Sequence, residues 1–412
     1  MKKRIAMISY HTCPLASEEG KETGGMNVYV LESAKELVKR GIVVDIFTRS
    51  QDPHQPSIVS LSENLRVVHL AAGPQMTLHK KMILAYIPEF AESFLQFQEK
   101  EHLSYDLLHC HYFLSGLAAL EIKNMLTTIP FIICFHTLAL MKNLVARDEL
   151  EREETERIDA ELLLTKEADK VVATSQSDKE YLTYLYDVPP DKIAVIQPGV
   201  NKLLFRPIDK EVSRKHIGAD LNDKIILFVG RIEPIKGIDA LLYAMKIMLK
   251  RHPGMTACLW IVGGDISQEQ HLWSKELQKL EQLRHLLNLA SSVKFVGQQP
   301  QHELPYYYNA SDLVVMPSHY ESFGIAELEA MACGTPVITS NVTGIATLLD
   351  KNSQKLITTA NNPLLLAKQM TDLLCDPKEK KAIGMSILSE VNHMQWKHTA
   401  AKTAKLYSKL TH

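Results

Sequence analysis

The sequence predicts an α/β protein with two doubly wound parallel sheets that face each other across a crevice. Short apolar runs alternate with helical patterns along the chain, as in proteins whose parallel strands are joined by helices. This alternation starts afresh near the middle of the chain. The length of 412 residues also exceeds the roughly 250–300 residues that one hydrophobic core can organise.

The strands of the first half are apolar at nearly every position, which is typical of parallel strands buried on both faces. The clearest helix between them is predicted over Asn27–Arg40, with Asn27 as its N-cap and Gly41 as its end. The predicted strands of this half are Arg4–Tyr10, Val43–Arg49, Arg66–Ala71, Leu107–His111, Phe131–His136, Lys170–Ser175 and Ile193–Gln197.

The second half repeats the alternation after Gln197–Pro207, whose prolines and glycine predict a hinge. This divides the chain into domains at 1–200 and 201–395, and a last helix within 396–412 is a candidate to pack back on the first domain. The predicted strands of this half are Lys224–Arg231, Thr256–Gly263, Ser292–Gly297, Asp312–Ser318 and Pro336–Ser340, and the predicted helices lie at about 237–251, 271–289, 324–333, 363–375 and 378–390.

The composition excludes several functional classes. A formal net charge of −2 provides no basic field for nucleic acid. The six cysteines form no C-x-x-C pair, so we expect buried thiols in a reducing compartment and no zinc site. No apolar stretch approaches the roughly 20 residues that span a membrane, and the first apolar run is not followed by a signal-cleavage site. We therefore predict a cytoplasmic protein and leave a homodimer open.

The loops that follow strands are the candidate site, because open α/β sheets bind ligands at the carboxyl ends of their strands. Gly24 and Gly25 follow the first strand and allow a phosphate to approach the backbone. Arg231 and Lys236 follow the first strand of the second half, and two cations there can hold a diphosphate. The alternatives are an ordinary turn for the glycines and solvated surface side chains for the cations.

The stretch PSHYESFGIAELEAMACGTP places two carboxylates around the start of a predicted helix. Glu321 precedes this helix, and Glu329 lies about two turns along it. The amides of Phe323, Gly324 and Ile325 are predicted to form an anion site at the helix start. Glu321 would then hold sugar hydroxyls and Glu329 ribose hydroxyls. The alternative is that Glu321 stabilises the helix start and Glu329 is solvated.

The motif ESFGIAELE resembles the E-x7-E motif of the family 4 retaining glycosyltransferases, which have the GT-B fold of two Rossmann-like domains. The resemblance covers nearly the whole chain, and in detail it is similar to the D-inositol-3-phosphate glycosyltransferases, with the sucrose-phosphate synthases next. The further motifs that occur in the order of that family are TGGMNVYV, AAGP, HCHYFLSGL, FHTLALMKN, IQPGVN, FVGRIEPIKG and CGTPVITSNVTG.

The resemblance implies transfer of a hexosyl or N-acetylhexosaminyl group to a small phosphorylated acceptor such as inositol phosphate. The donor would be a nucleotide-diphosphate sugar with UDP as the family default, and UDP-glucose or UDP-N-acetylglucosamine is expected; neither a metal nor another cofactor would be required. The first domain would bind the acceptor and the second the donor. The implied donor residues are Gly24, Gly25, Arg231, Lys236, Glu321, Phe323, Gly324, Ile325 and Glu329; the implied acceptor residues are Asn27, Lys80, Tyr112, Thr137 and Arg157; and the implied catalytic residues are Arg231, Lys236, Glu321 and His136.

Three parts of this assignment have competing interpretations. Lys80 is adjacent to Lys81, so the lysine of the family that binds the acceptor phosphate can correspond to either residue. Arg157 ends a run of alternating charges whose other members we expect to be solvated. The segment Gln75–Leu95, which Pro88 interrupts, is expected to line the acceptor site, whereas a membrane-contacting helix with a lipid acceptor is the less favoured alternative.

The absence of an evident carboxylate nucleophile favours front-face attack, in which the leaving diphosphate takes the proton of the acceptor hydroxyl. Arg231, Lys236 and the helix start would stabilise the leaving group. The alternatives left open are transfer to a hexose phosphate, as in sucrose-phosphate synthases, and transfer to a lipid or glycan. A sugar-nucleotide epimerase and a non-catalytic nucleotide-sugar-binding module belong to other classes of function.

Overall fold

The fold contains two β-sheets. The structure is a computed structural model that describes residues 2–17, 24–125, 129–349 and 353–411. Thr23 of the TGGMNVYV motif and His412 lie outside the described residues. The strands of the first sheet are β1 (Arg4–Ile8), β2 (Val43–Arg49), β3 (Ile58–Ser62), β4 (Leu65–Leu70), β5 (Leu107–His111), β6 (Phe131–Cys134), β7 (Lys170–Ala173) and β8 (Ile193–Val195). The strands of the second are β9 (Lys224–Val229), β10 (Ala257–Val262), β11 (Val293–Gly297), β12 (Leu313–Met316), β13 (Val337–Ser340) and β14 (Ile357–Thr358).

Both sheets are doubly wound. The eight-stranded sheet has the order β3-β4-β2-β1-β5-β6-β7-β8, and the six-stranded sheet has the order β11-β10-β9-β12-β13-β14. The described pairings are parallel except for β3 with β4 at an edge. Strand order reverses beside β1 in one sheet and beside β9 in the other, so the loops after these two strands lie at the switch points where such folds bind ligands. The predicted pair of doubly wound α/β sheets is confirmed.

Helices cover both faces of each sheet. The helices up to the crossing between the sheets are α1 (Gly25–Val38), α2 (Lys80–Ile83), α3 (Ile87–Lys100), α4 (Phe113–Met125), α5 (Ala139–Val145), α6 (Thr155–Glu167) and α7 (Gln176–Leu185). The later helices are α8 (Lys210–Ile217), α9 (Ile238–Arg251), α10 (Lys275–Leu286), α11 (Leu304–Ala310), α12 (Ile325–Ala332), α13 (Pro363–Cys375), α14 (Pro377–Glu390) and α15 (Trp396–Leu410).

The core of the first sheet is divided by the alternation of side chains along its strands. Ile5 and Met7 of β1 belong to one apolar cluster, whereas Ala6 and Ile8 belong to the cluster on the opposite face. The final helix α15 packs against α1, and its Tyr407 is buried in the cluster that contains Ile5. The second sheet has a single large cluster of its own.

The chain passes between the two sheets twice, and the two passages touch. Val200 forms a parallel bridge with Gln395, and the amide of Val200 donates to the carbonyl of Met394 at 2.9 Å. A Cβ atom on Gly199 would lie 2.2 Å from the backbone nitrogen of Trp396. Only glycine therefore fits this crossing, which lies within the segment predicted to be a hinge.

Several local predictions need correction. The first helix begins at Gly25, with Gly24 as its N-cap, so the prediction of Asn27 as N-cap is wrong. The side-chain amide of Asn27 instead donates to Thr12 Oγ1 and to the carbonyl of Cys13, both at 3.0 Å, which ties the loop after β1 to α1.

Other elements were missed, or their ends differ. Strands β3 and β14 were not predicted, because β3 is half exposed and β14 has only two residues. Helices α8 and α11 were also missed. Pro88 does not interrupt a helix; it occupies the first turn of α3, where its missing N–H costs nothing. None of the described helices is long and apolar enough to cross a membrane.

Candidate active site

A cleft of about 560 Å³ lies between the carboxyl ends of the two sheets. Both halves of the chain line it, and its walls include every site residue that the sequence predicted. This convergence follows from the fold, since the loops after parallel strands gather at one edge of each sheet. The roles of the residues in binding and catalysis stay predictions. The predicted residues that line the cleft are Gly24, Gly25, Asn27, Lys80, Tyr112, His136, Thr137, Arg157, Arg231, Lys236, Glu321, Phe323, Gly324, Ile325 and Glu329.

The two glycines after β1 bring the halves of the chain into contact. A Cβ atom on Gly24 would lie 3.3 Å from Nε of Arg231, and one on Gly25 would lie 3.1 Å from Cδ1 of Ile325. The guanidinium of Arg231 and the start of α12 therefore rest directly against the backbone of the first helix. The absence of side chains at these two positions is what permits this approach.

The two predicted phosphate-binding cations each pair with a carboxylate. Arg231 Nη1 lies 2.6 Å from Glu233 Oε1, and Lys236 forms an ion pair with Glu321. Glu321 does not point into open water, because its side chain is 20% exposed and faces the cleft. In this arrangement the ammonium of Lys236 and the carboxylate of Glu321 occupy adjacent positions at the floor of the cleft.

The start of α12 is shaped by Gly324 and Glu327. Gly324 is the N-cap and has φ +106°, a conformation that favours glycine. A Cβ atom there would lie 2.8 Å from the carboxylate of Glu327, which folds back on the first turn of the helix. Burial, and secondly the charge of Glu321, raise the pKa of Glu327 to about 8. Phe323 precedes the helix and Ile325 begins it.

Glu329 is buried, so the alternative of a solvated helical residue is wrong. The hydroxyl of Tyr308 donates to Oε2 of Glu329 at 3.0 Å, and the side-chain amide of Gln301 donates to Oε1 at 3.4 Å. Burial raises the pKa of Glu329 to about 7. This carboxyl is therefore held in a defined orientation at the edge of the cleft, where it can accept or donate a hydrogen bond.

On the opposite wall, two cations lie close to an aromatic ring. The ammonium of Lys80 lies 5.1 Å and the guanidinium carbon of Arg157 lies 4.8 Å from the centre of the Tyr112 ring. Arg157 Nη2 also donates to the carbonyl and hydroxyl oxygens of Thr137, at 2.9 and 3.1 Å. Arg157 is buried and pairs with the fully buried Glu161 at 2.8 Å, so the alternative of a solvated arginine is wrong.

Lys80 and Lys81 face different surroundings. Lys80 lines the cleft, whereas Lys81 is largely exposed and forms an ion pair with Glu154 outside it. Protein atoms surround the ammonium of Lys80 although the cleft leaves it open to solvent. Desolvation, and then the charge of Arg231, lower the pKa of Lys80 to about 8. Of the two lysines, the structure therefore places Lys80 in the cleft.

The segment 75–95 is anchored in the protein interior. The side chains of Ile87, Phe90 and Phe94 on α3 are buried in the core of the first sheet. These contacts occupy the apolar face of α3, and α2 carries Lys80 to the cleft at its N-terminal end.

Two strained residues position the polar groups near the first sheet. Tyr112 has φ +77° and His136 has φ +61°, values that are uncommon for residues with side chains and are often found at functional sites. His136 Nε2 is hydrogen-bonded to Nδ1 of the buried His111 at 3.0 Å. Burial lowers the pKa of His136 to about 3, so this imidazole is neutral at ordinary pH.

Among the residues of the cleft or its support that the sequence did not identify as site residues, four matter for the chemistry. Glu233 stands between the two cations of the motif RIEPIK, and Glu327 stands inside the E-x7-E motif; an acidic residue amid a predicted anion site is the signal that could have identified both. Lys142 follows Thr137 by little more than one helical turn and lines the cleft. His111 holds His136 from behind.

The two Rossmann-like sheets and the cation-lined cleft between them define a glycosyltransferase of the GT-B fold. Residues 209–386 match the family described as Glycosyl transferases group 1, and residues 23–202 match Glycosyltransferase Family 4. The D-inositol 3-phosphate glycosyltransferase of Corynebacterium efficiens is 34% identical over 411 residues, covering 99% of this chain and 96% of that protein. The chain belongs to the family 4 glycosyltransferases.

Further relatives agree with this assignment. The D-inositol 3-phosphate glycosyltransferase of Thermobispora bispora is 34% identical, covering 98% of this chain and 94% of that protein. Among solved structures, the sucrose-phosphate synthase of Thermosynechococcus elongatus superposes with a TM-score of 0.88 at 29% identity, over 99% of both chains. Anabaena HepE in complex with UDP and glucose has a TM-score of 0.73 at 18% identity over 99% of this chain and all of that one, which shows the shared fold alone.

Proposed function

We propose that this glycosyltransferase moves a hexosyl or N-acetylhexosaminyl group from a UDP-sugar to a small phosphorylated acceptor such as inositol phosphate, with retention of the anomeric configuration. One observation carries the proposal. Cations from both halves of the chain line the same cleft: Arg231 and Lys236 on one wall, and Lys80 and Arg157 on the other. One pair suits a diphosphate and the other suits the phosphate of an acceptor.

The donor would lie against the second sheet. Arg231, Lys236 and the amides at the start of α12 would hold the diphosphate, a use of helix N-termini that the fold makes available. Glu321 would exchange its contact with Lys236 for hydroxyls of the transferred sugar. Glu329 would bind the ribose, since Tyr308 already fixes the carboxyl in place. His136 would contact the transferred sugar as a neutral hydrogen-bonding group.

The acceptor would lie against the first sheet. Lys80, Tyr112, Thr137 and Arg157 would surround its phosphate, and Asn27 would lie beside it. The oxygen of the acceptor hydroxyl would attack the anomeric carbon on the face from which the diphosphate leaves. The glycosidic carbon–oxygen bond to the diphosphate breaks, the new bond to the acceptor forms, and the leaving phosphate oxygen takes the proton of the hydroxyl. Charge stabilisation by Arg231 and Lys236 supports this route.

An acceptor screen tests the proposal. UDP-glucose and UDP-N-acetylglucosamine are each incubated with inositol phosphate, a hexose phosphate and the corresponding unphosphorylated alcohols, and products are identified by mass. We expect product only with phosphorylated acceptors, and NMR of the new linkage shows retention. Product with the unphosphorylated alcohols at equal efficiency would contradict the assignment of the cationic wall to an acceptor phosphate.

Transfer to a hexose phosphate is the second candidate. The similarity to a sucrose-phosphate synthase at 29% identity over nearly the whole chain favours it. The same screen separates it from the first candidate, because the two acceptors give products of different mass. Conversion of the UDP-sugar in the absence of any acceptor would indicate an epimerase, and binding of UDP without turnover would indicate a non-catalytic module. The cytoplasmic setting and the oligomeric state stay predictions.

A further inference from the structure

The cleft contains a carboxylate for which the proposed reaction has no use. Glu233 lies in the loop after β9, lines the cleft and pairs with Arg231 at 2.6 Å. Its side chain is 33% exposed, and the side chain of Arg231 is 34% exposed, so the pair faces the cleft. A carboxylate beside the guanidinium that would hold a diphosphate is unfavourable for binding an anion. The position therefore needs a reason.

The cations of the opposite wall supply that reason. Burial alone would raise the pKa of Glu233, but the charges of Arg231, Lys142, Lys236 and Lys80 outweigh it and hold the pKa below its ordinary value. Two of these cations belong to the first half of the chain and two to the second. Glu233 therefore interacts with cations of both walls.

We propose that Glu233 is an internal counter-ion of the cleft, which offsets the repulsion between the two cationic walls when no ligand is bound and against which an incoming phosphate has to compete. This inference rests on the proposed function, because it assigns the wall that contains Lys80 to a phosphorylated ligand. Glu233 weakens the binding of phosphate in proportion to its own charge. Free phosphate in the cell is thereby held off, whereas a phosphorylated acceptor gains further contacts through its ring.

A different role for Glu233 gives the opposite expectation. If the carboxylate served only to orient Arg231 for the donor, then removing its charge would weaken binding of UDP and leave phosphate unaffected. Affinities for the two ligands therefore distinguish a counter-ion from an orienting group. Both are equilibrium measurements that need no turnover.

The test is titration calorimetry of inorganic phosphate and of UDP with the wild type, Glu233→Gln and Glu233→Ala, at pH 6.5 and about 50 mM salt. Lys80 is protonated at that pH. We expect the dissociation constant for phosphate to fall about fivefold to twentyfold in both variants, as the loss of one repulsive charge several ångströms away predicts. The increase in phosphate affinity of the variants over the wild type should be smaller at about 0.5 M salt, where charge screening is strong.

Asp239→Asn is the matched control. Asp239 is also a carboxylate of the second half that pairs with an arginine of the first half, Arg147, but it does not line the cleft. We expect this variant to bind phosphate as the wild type does. Unchanged or weaker phosphate binding in both Glu233 variants, with unchanged melting temperature, would overturn the inference. The acceptor screen tests the proposed function, whereas the calorimetry tests the counter-ion role of Glu233. A negative acceptor screen would therefore not contradict the phosphate result.

Discussion

The two walls of the cleft hold their cations in different ways. On the first-sheet wall, Arg157 is buried and is fixed by Thr137, by the ring of Tyr112 and by the fully buried Glu161. On the second-sheet wall, each cation forms an ion pair with a carboxylate that lines the same cleft. The first wall therefore holds Arg157 in a fixed position, whereas the charges of Arg231 and Lys236 on the second wall are compensated by carboxylates within the cleft.

This difference has a physical consequence for substrate binding. Arg157 is already held by Thr137, Glu153 and Glu161, so it loses little side-chain freedom on binding a phosphate. A cation paired within the cleft has to give up a partner, so its contribution to binding is the difference between two interactions. The second-sheet wall should therefore contribute more to the transition state, where charge on the leaving diphosphate grows, than to ground-state binding.

The largest expected effect is at Arg231. Arg231→Ala removes a cation that we propose stabilises the leaving diphosphate, and we expect turnover to fall by about 10²–10³-fold, as for the loss of one group that stabilises developing charge. The melting temperature should change little, because the side chain is about a third exposed. Steady-state kinetics with both substrates saturating give the measurement. Arg251→Ala, in the exposed last turn of α9, is the control, and unchanged turnover in Arg231→Ala would refute its role.

Arg157 should behave differently, because it is part of the folded interior. Arg157→Met leaves the carboxylate of Glu161 buried and without its ionic partner, for which we expect a loss of about 3–4 kcal/mol in the free energy of unfolding. Chemical denaturation measures it. Arg152→Met, which breaks only an exposed pair with Glu149, should cost less than about 0.5 kcal/mol. Equal effects in the two variants would show that the first wall is not preorganised by burial.

The second-sheet wall contains a buried carboxyl, Glu329, whose titration can be measured. Burial raises the pKa of Glu329 from 4.5 to about 7, so the folded protein holds a proton that the unfolded chain releases above pH 4.5. The stability provided by this group is full below pH 4.5 and declines until pH 7. At about 1.4 kcal/mol per unit of pKa, the loss over these 2.5 units amounts to at most about 3.5 kcal/mol.

Glu329→Gln should remove that pH dependence. We expect its stability relative to the wild type to rise between pH 4.5 and pH 7 and then to level off, as followed by denaturation at a series of pH values. Glu92→Gln, which changes an exposed glutamate of α3, is the control that should show no such rise. A constant difference between Glu329→Gln and the wild type across this range would contradict the raised pKa.

The fold and the membership of the site could be predicted because both follow from sequence order. Strand ends meet at a sheet edge, so motifs such as FVGRIEPIKG and ESFGIAELE had to reach one crevice. What could not be predicted depends on contacts between distant segments. The ion pair of Lys236 with Glu321 joins two loops of the second half. Asn27 does not cap the first helix, because that helix begins two residues earlier, at Gly25, and the amide of Asn27 instead binds Thr12 and Cys13.

The direction in which a side chain points at the start of a helix could not be predicted from the sequence either. Lys80 and Lys81 begin the short helix α2, and a rotation of about 100° separates neighbouring residues on a helix. Which lysine reaches the cleft depends on how α2 is seated on the core through Ile83, a contact that the sequence does not reveal.

Substitution of Lys80 should change the KM for the acceptor but not the KM for the donor. Lys80→Met removes one of the cations beside Tyr112, and we expect the KM for a phosphorylated acceptor to rise about tenfold, while the KM for the UDP-sugar stays within twofold. Because its pKa is about 8, the wild-type KM for the acceptor should rise as the pH passes 8 and the ammonium loses its charge. The groups that act on this ammonium from the cleft are Arg231, Glu233, Arg157, Lys142, His11 and Tyr112. A parallel rise in the KM for the donor would contradict the division into two walls.

The smallest effect on stability and on KM is expected for substitution of the next residue, Lys81. Lys81→Met replaces the same side chain by the same apolar substitute, but Lys81 is 63% exposed and pairs with Glu154 outside the cleft. An exposed ion pair contributes little, so we expect a change of less than about 0.5 kcal/mol in stability and no measurable change in the KM for either substrate. The two methionine variants share composition and net charge, and only the direction of the side chain separates them. If Lys81→Met raised the KM for the acceptor and Lys80→Met did not, helix α2 would be rotated by one residue in solution, and the cation beside the Tyr112 ring would have been assigned to the wrong lysine.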